Sequence, residues 1–237
     1  MFMRPDRLTA LNYWAGHIPF AAWIVDVAQP RLVVELGTET GVSYCAFCQA
    51  IAAYAPGAKA YAVDTWTGDG HTGQYGQDVL ADLRAHHDPR YGAFSTLLPE
   101  TFEAARNRFA DGSIDLLHID GFHTYEAVSA DFTTWLPKVS RRSVILMHDI
   151  CIEDRGFGVW KFWRELSARY RTFMFPHASG LGVLVPHEAP QALVDWLVGA
   201  AKSSDGEVDD QGIVQELFHR LGMAWAKPGC GTDAASA

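Results

Sequence analysis

Short apolar runs alternate with helix-forming segments along most of this 237-residue chain. Each run is nearly continuous in apolar residues, which is typical of strands that are buried on both faces of a parallel sheet. Glycine turns and prolines separate these runs from the helical segments. The order of elements predicts an α/β fold with a doubly wound, mostly parallel seven-stranded sheet. We predict its strands at residues 31–36, 58–66, 93–100, 114–120, 142–150, 171–178 and 180–186.

Helical segments are expected before the first strand and after the last strand of this sheet. We interpret residues 1–30 as an N-terminal helical cap and residues 31–187 as the main domain. Helices near 190–201 and 208–222 would form a C-terminal unit, residues 188–225, before a flexible tail at residues 226–237. The polar segment 67–92 is long for a connection, so it is either a lid over a site or a solvated excursion with one short helix.

Composition narrows the function classes. The formal net charge is -9 and no run of Lys and Arg stands out, which argues against a nucleic-acid partner. No apolar run reaches the ~20 residues that cross a bilayer, and the N-terminus lacks a signal-peptide pattern, so we expect a cytoplasmic protein without membrane association. Cys45 and Cys48 form a lone CAFC, which we interpret as half-buried thiols on one helical face rather than a zinc or redox site. The eight tryptophans are compatible with a homodimer.

Acidic side chains stand where the predicted strands end. Glu35, Asp64 and Asp120 close three strands, and the pair His148-Asp149 closes a fourth. In open parallel sheets, ligands bind outside the carboxyl ends of the strands. The sequence therefore predicts a ligand site that is lined by carboxylates at one edge of the sheet.

The first glycine turn, ELGTETG, indicates the kind of ligand. Gly37 and Gly41 stand four residues apart, without the middle glycine of a dinucleotide fingerprint. Glu39 in this turn would repel a diphosphate, although its side chain is more simply expected to point to water. Asp64 at the end of the second strand is placed to accept hydrogen bonds from ribose hydroxyls. A nucleoside cofactor without phosphates and with positive charge, S-adenosylmethionine, fits these residues best.

Four segments in this order carry a family resemblance. VVELGTETGVS, YAVDTWTGDGHTGQYG, GSIDLLHIDGFHTYEAVSADFTTWLPK and VILMHDI with the later RGFGVWKFW span roughly residues 30–186. Together they resemble the class I S-adenosylmethionine-dependent methyltransferases. The resemblance is closer to the small-molecule branch that is often encoded with, or fused to, glycosyltransferases. It implies a Rossmann-like methyltransferase fold and a small-molecule or sugar acceptor.

The resemblance also assigns residues to the cofactor. It implies that the methionine end lies along the first turn, that Asp64 holds the ribose, and that the residues after the third strand lie near the adenine. Asp120 would contact the cofactor as well. The full set is Glu35, Gly37, Thr38, Gly41, Asp64, Glu100, Thr101 and Asp120.

The fourth and fifth strands are expected to be neighbours, about 4.8 Å apart, which would bring Asp120 close to Asp149. Two such carboxylates repel each other unless a proton or a cation lies between them, and Mg²⁺ prefers oxygen ligands of this kind. Without a metal, Asp120 would contact only the cofactor and Asp149 would be a hydrogen-bond acceptor. His123 is our first candidate for the general base, and His148 is the second, as base or as a partner of the metal. We expect His118 to have a buried structural role.

These residues favour methyl transfer to a hydroxyl group of a small molecule, a sugar or a glycoconjugate. A catalytically silent S-adenosylmethionine-binding module of a glycan-assembly system is the alternative from another class. A nicotinamide-dependent oxidoreductase is less favoured, because of Glu39 and the missing glycine. Methylation of an amine stays open.

Overall fold

A seven-stranded sheet forms the centre of the protein. The structure, a computed structural model, describes residues 3–71, 73–188, 193 and 210–225. The strands are β1 (Leu32–Leu36), β2 (Lys59–Asp64), β3 (Gly68–Asp69), β4 (Gly73–Gln74), β5 (Ser95–Pro99), β6 (Ile114–Ile119), β7 (Val139–His148), β8 (Arg171–Phe175) and β9 (Leu181–Val185).

The main sheet has the order β5-β2-β1-β6-β7-β9-β8. The first five strands in this order run parallel, and β9 pairs antiparallel with both β7 and β8. This confirms the predicted doubly wound, mostly parallel fold. β1 and β6 lie side by side at its centre, and the chain leaves them toward different helical layers. A crevice opens at this point of the sheet, as expected for such topologies.

Helices cover both faces of the sheet. They are α1 (Ile18–Ala28), α2 (Val42–Tyr54), α3 (Gln77–Tyr91), α4 (Phe102–Arg106), α5 (Tyr125–Trp135), α6 (Val159–Ser167) and a C-terminal helix (Asp210–Met223), with 3₁₀ turns at Ala15–His17 and Leu136–Lys138. Alternate strand residues serve opposite layers: Leu116 packs with α1, α2 and α3, while Leu117 packs with α4, α5 and α6. None of the helices in the described ranges is long and apolar enough to span a bilayer.

The structure differs from the sequence prediction at several elements. The N-terminal segment was expected to be helical over residues 4–29, but residues 4–14 run outside helices because they contact α2 and α3 through polar side chains. The helix after β5 is short and ends at Arg106, after which Phe109 turns back into the core. The ribbon of β3 and β4 was not predicted. Apart from Leu193, the helix expected near 190–201 lies outside the described residues, as does the tail 226–237.

The CAFC thiols belong to a buried polar network under α2. Cys45 and Cys48 are free, and both are fully buried where half-buried thiols were expected; burial raises the pKa of both thiols. Ser95 Oγ lies 2.7 Å from His87 Nε2 and 2.5 Å from Tyr44 Oη. A serine and a histidine in contact resemble part of a hydrolase site, but both are buried and neither lines the cavity described below. The network is therefore structural.

Asp131 on α5 should make stability depend on pH. Its carboxyl group lies against Gly121, and burial raises its pKa to about 7. Because the folded pKa is above the unfolded one, the folded state holds the proton more tightly, and stability falls as pH rises from about 4 to about 7. We expect Asp131→Asn to be stabilised over the wild type by ~2 kcal/mol at pH 8. Urea unfolding at pH 5 and pH 8 measures this difference, with the exposed Asp26→Asn as control. An equal difference at both pH values would contradict the prediction.

Candidate active site

A cavity of about 510 Å³ opens at the carboxyl ends of β1, β2, β6 and β7. Its wall combines residues from four strand ends with the N-terminal segment and the β3–β4 ribbon. Of the residues predicted for the site, it brings together Gly37, Thr38, Asp64, Thr101, Asp120, His123, His148 and Asp149. The acidic strand ends thus converge on one cleft, with the exception of Glu35.

The turn after β1 forms one end of the cavity. Gly37 has a φ of 85°, and a Cβ there would lie 2.0 Å from the carbonyl oxygen of Asp120. Only glycine allows the turn to approach the end of β6 this closely. Gly41 precedes α2 with a φ of 78°, and the side chain of Leu83 occupies the space where a Cβ would stand. Gly41 therefore shapes the turn but does not itself line the cavity.

Asp64 holds this turn in place. Its Oδ2 accepts hydrogen bonds from the backbone N–H groups of Thr38 and Glu39, both at 2.9 Å. Its Oδ1 accepts a third, at 2.7 Å, from the backbone N–H of Trp66. These three bonds fix the Thr38–Glu39 peptide relative to the end of β2. Asp64 was predicted to hold a ribose; in the structure it lines the cavity and also builds the turn.

Glu39 faces the cavity, where we had expected it to point to water. Its backbone is left-handed, with a φ of 46°, and its carbonyl oxygen accepts a hydrogen bond from the indole of Trp66. Burial raises the pKa of the Glu39 carboxyl, and the nearby charges of Asp120 and Asp64 raise it further. Three carboxyl groups, of Glu39, Asp64 and Asp120, thus line this end of the cavity, which suits a positively charged ligand and disfavours a diphosphate.

Glu35 does not reach the cavity. It lies directly opposite His118 in the β1–β6 register, so both side chains point into the same helical layer. Trp14 Nε1 donates to His118 Nε2 at 3.3 Å, which leaves His118 Nδ1 as the proton donor to Glu35 Oε2 at 2.8 Å. Burial raises the pKa of Glu35. His118 thus has the buried structural role that we expected, and Glu35 shares that role.

Glu100 and Thr101, the two candidates that follow β5, have different surroundings. Glu100 is absent from the cavity wall and accepts a hydrogen bond from Arg108 Nε at 3.0 Å, which lowers the pKa of its carboxyl group. Thr101 lines the cavity, and its hydroxyl accepts a hydrogen bond from the backbone N–H of Ala104, which caps α4. Of these two predicted residues, only Thr101 lies where a cofactor could touch it.

The other end of the cavity holds a compact cluster of Asp120, His123 and Asp149. One ligand atom from each of the three lies within 4.8 Å of the others. His123 Nε2 is 2.9 Å from Asp149 Oδ2 and 3.8 Å from Asp120 Oδ1. Asp149 has a left-handed φ of 60°, a strained conformation that turns its carboxylate toward Asp120. Two oxygens and one nitrogen at this spacing could hold a divalent cation.

His123 packs in a cluster with two other rings. Its imidazole stacks on Phe157 with centroids 4.4 Å apart, and on His71 of the ribbon with centroids 5.6 Å apart. Burial lowers the pKa of His123, but the hydrogen bonds and charges of Asp120 and Asp149 outweigh it and raise the pKa to about 9. The ring is oriented for proton exchange in the cavity, and its proton affinity is set by the two carboxylates.

His148 is less suited to act as a base, because both of its ring nitrogens are engaged. Nε2 lies 3.0 Å from the carbonyl oxygen of Ala178, and Nδ1 lies 3.3 Å from Asp120 Oδ1 and 3.5 Å from Asp149 Oδ1. Burial alone would lower the pKa of His148, but these carboxylates raise it well above its ordinary value. A doubly protonated His148 donates to both sides and compensates part of the acidic charge.

Other parts of the chain also contribute to the wall, among them the segment 67–92, which was expected to be a lid over a site or a solvated excursion. In the segment 67–92, Asp69, His71 and Tyr75 line the cavity, whereas His86 and His87 lie on α3 away from it. Sequence reasoning did not assign the remaining contributors, because no local pattern places them near the strand ends. They include Leu11, Tyr13, Trp14, Phe122, Arg155, Phe157 and Ser179.

An N-terminal strap, residues 4–14, contacts the turn that follows β1. The buried Arg7 donates from Nε to the carbonyl oxygen of Thr40 at 2.6 Å, and from Nη2 to Asp82 on α3 at 2.7 Å. The hydroxyl of Thr9 lies 3.2 Å from that of Thr40. The strap therefore fixes the last part of the turn from outside the sheet.

Removing the Arg7 contact should loosen the turn. We expect Arg7→Gln to weaken binding of S-adenosylhomocysteine about tenfold, because the buried carbonyl of Thr40 loses a charged donor. Asp82→Asn is the matched control, since it removes only an ion pair whose acid is 73% exposed and keeps the Thr40 contact. Calorimetric titration of both variants makes the comparison. Equal affinities for the two variants would show that the strap does not act on the turn.

Comparisons with known proteins agree with this geometry. Residues 34–150 match the family model described as a methyltransferase domain. The uncharacterized protein y4gI of Sinorhizobium fredii is 48% identical over 181 residues, which are 76% of this chain and 20% of that relative. The chain thus spans about a fifth of the length of this curated relative.

Two solved structures share the fold. The O-methyltransferase TomG of Streptomyces achromogenes, in complex with S-adenosylmethionine, has a TM-score of 0.56 at 12% identity and covers 77% of this chain and 83% of its own. An O-methyltransferase of Bacillus cereus in complex with S-adenosylhomocysteine has a TM-score of 0.54 at 13% identity and covers 78% and 84%. With the sheet order and the cavity, these findings show that residues 34–150 are similar to a methyltransferase domain and that the chain shares the fold of the two solved methyltransferases.

Proposed function

We propose that this protein transfers the methyl group of S-adenosylmethionine to a hydroxyl group of a small molecule, with a sugar or glycoconjugate as the favoured acceptor class. One observation carries the proposal: the acidic turn and the Asp120–His123–Asp149 cluster face the same cavity. A cofactor end and a proton-transfer end are then within reach of one bound acceptor. This is the arrangement that methyl transfer to oxygen needs.

The turn fits the cofactor by its free polar groups and by its space. Thr38 Oγ1 is buried without a hydrogen-bond partner among the described residues, although it belongs to the cavity wall. Gly37, beside it on the cavity wall, lets the turn lie against the end of β6. Gly37, Thr38, Asp64, Thr101 and Asp120 would hold the cofactor, which supplies an electrophilic methyl group on a sulfonium. The surrounding carboxylates stabilise that positive charge.

The cluster fits a divalent cation by its donor set. Asp120 and Asp149 offer oxygen ligands at a spacing where two bare carboxylates repel each other, and Mg²⁺ favours such ligands. We assign these two residues to the cation and leave His123 to the proton, because one nitrogen cannot bind both at once. When bound, the cation supplies Lewis-acid activation of the acceptor oxygen.

His123 is the proposed general base. Phe157 and His71 hold its ring by stacking, so that the ring need not be ordered when the acceptor binds. Its pKa would fall toward the ordinary value once the charge of the two carboxylates is offset. The neutral ring then accepts the acceptor's proton while the new carbon–oxygen bond forms. His148, fixed by Ala178 and Asp120, keeps the end of β7 in place.

Calorimetry and a transfer assay test the function in two steps. Wild-type protein should bind S-adenosylhomocysteine and, with Mg²⁺, form it from S-adenosylmethionine in the presence of hydroxylated acceptors. Absence of binding at millimolar cofactor would refute the cofactor assignment. Full binding with no transfer across a broad acceptor panel would favour a silent binding module instead. Undiminished transfer in excess chelator would remove the cation from the mechanism and leave His123 as base.

A further inference from the structure

Arg155 is the one Lys or Arg side chain on the cavity wall that the described residues form. The other charged groups on this wall are carboxylates and histidines: Glu39, Asp64, Asp69, Asp120, Asp149, His71, His123 and His148. A single guanidinium on this wall indicates a place for an anionic group of a ligand, because arginine is the side chain best suited to pair with carboxylate or phosphate oxygens.

The backbone that presents Arg155 is strained. Arg155 has a left-handed φ of 52°, a conformation that costs a non-glycine residue free energy, and Gly156 follows with a φ of 77°. A glycine or an asparagine at position 155 would adopt this conformation at lower cost. Strain that persists on a side chain in a cavity wall points toward a role for that side chain.

The loop that carries Arg155 is anchored to the proposed base. The backbone N–H of Gly158 donates to the carbonyl oxygen of His123 at 2.8 Å, and the backbone N–H of Phe157 donates to Asp154 at 2.9 Å. A Cβ at Gly158 would lie 2.3 Å from the backbone nitrogen of Tyr125, so this close approach requires glycine. The loop therefore has a fixed position beside His123.

The side chain of Arg155 continues this contact. Its guanidinium carbon lies 4.9 Å from the ring centroid of Phe157, and the same ring stacks on His123. Among the described residues its polar partner is Asp154, with Nε 3.4 Å from Oδ1, and both side chains are well exposed. Such a contact is weak, so most of the guanidinium's donors are free for a ligand.

Charge in the loaded cavity also favours this assignment. The cofactor brings a sulfonium and an ammonium group against one carboxylate, which offsets part of the acidic wall at the turn. Arg155 lies at the other end, with Phe157 and His123, where the acceptor would enter. An acceptor with an acidic group could place that group on Arg155 and its hydroxyl near His123.

We propose that Arg155 binds an anionic group, carboxylate or phosphate, on the methyl acceptor. This inference rests on the proposed function and names its substrate class: hydroxylated molecules that also carry an acidic substituent. Arg155 acts as a specificity determinant that selects these molecules over neutral ones with the same hydroxyl groups.

Matched acceptor pairs test the proposal. Each pair shares its hydroxyl groups and differs in the acidic group: glucuronate and glucose 6-phosphate against 6-deoxyglucose, and 3,4-dihydroxybenzoate against catechol. Wild-type enzyme with S-adenosylmethionine and Mg²⁺ should show a higher kcat/KM for an acidic member. Whether the preferred member carries a carboxylate or a phosphate separates the two sources of charge.

The variants Arg155→Gly and Arg155→Lys isolate the side chain. Arg155→Gly relieves the backbone strain, so its Tm should be equal to or above that of the wild type, while kcat/KM for the acidic member falls about tenfold or more, mainly through KM. Arg155→Lys should retain part of the preference, because it keeps the charge but not the planar fork. Arg169→Gln, an exposed arginine away from the cavity, should change neither value.

Three results would overturn the proposal. The first is equal or faster transfer to the neutral members by the wild-type enzyme. The second is an unchanged preference in Arg155→Gly. The third is cofactor binding without transfer to any member of any pair, which would refute the proposed function itself. The first two outcomes leave that function standing, so the failures of the two ideas are distinguishable.

Discussion

Asp149→Asn is expected to lower methyl transfer by about 10³-fold while S-adenosylhomocysteine still binds. Asp149 makes the shortest contact with His123, and it is half of the carboxylate pair with Asp120. An amide keeps the shape but loses the charge that orients the base and holds a cation. Because Asp149 lies at the far end of the cavity from the first turn, the cofactor should lose little affinity. Coupled detection of S-adenosylhomocysteine gives the rate, and calorimetry gives the affinity.

Asp154→Asn is the matched control for this experiment, since it removes an exposed carboxylate five residues later in the same loop. It should retain nearly full activity. A second measurement follows Mg²⁺ binding directly: the wild type should bind the ion, and Asp149→Asn should not at the same concentration. Activity of Asp149→Asn within tenfold of the wild type would contradict the role of the cluster.

Asp64→Asn should abolish tight cofactor binding. The carboxylate accepts three backbone N–H bonds, two of them from the turn after β1. An amide can accept on one side only, so its NH₂ group would face backbone donors. Hydrogen bonds to charged groups are worth about 1.5–3 kcal/mol each, and losing one or two weakens S-adenosylhomocysteine binding by about 100-fold.

Asp69→Asn provides the comparison for Asp64→Asn. It removes a carboxylate from the same cavity wall, but from the ribbon and not from the turn. Its effect on affinity should be less than about tenfold, since the hydrogen bond that its Oδ1 accepts, at 2.7 Å, comes from the backbone N–H of His71 in the ribbon and not from the turn. Circular dichroism and thermal unfolding verify that both variants are folded. Similar losses in the two variants would mean that cavity charge, and not the geometry of the turn, determines the affinity.

The doubly wound fold and the edge that carries the acids could be predicted from sequence. Nearly continuous apolar runs identify buried parallel strands, and such strands present their carboxyl ends on one side. This reasoning placed Asp64, Asp120 and Asp149 at one cleft without structural information. Local glycine spacing likewise identified the turn after β1.

Glu35 shows where such reasoning ends. Its carboxylate stands one residue before the end of β1, and side chains alternate between faces along a strand. One position therefore separates a side chain in the cleft from one in the core, and sequence patterns rarely fix strand ends that closely. The pairing of Glu35 with His118 shows that its side chain lies in the core, and this register depends on the partner strand.

The positions of the strap and of Arg155 could not be predicted from the sequence, and the reason differs from that for Glu35. Arg7 meets Asp82 across 75 positions of the chain, and Arg155 meets the cavity through a loop whose course depends on left-handed residues. No local sequence pattern indicates either contact. Only the folded arrangement of the helices and strands brings these residues to the site.

The strap also gives the start of the chain a thermodynamic link to the active site. Any peptide joined ahead of Arg4, such as an affinity tag, would act on the same eleven residues, 4–14, that hold the carbonyl of Thr40 through Arg7. Cofactor affinity should then vary with what is fused upstream, even when the fused part lies far from the cleft. Tags for this protein are accordingly better placed where they leave residues 4–14 unloaded.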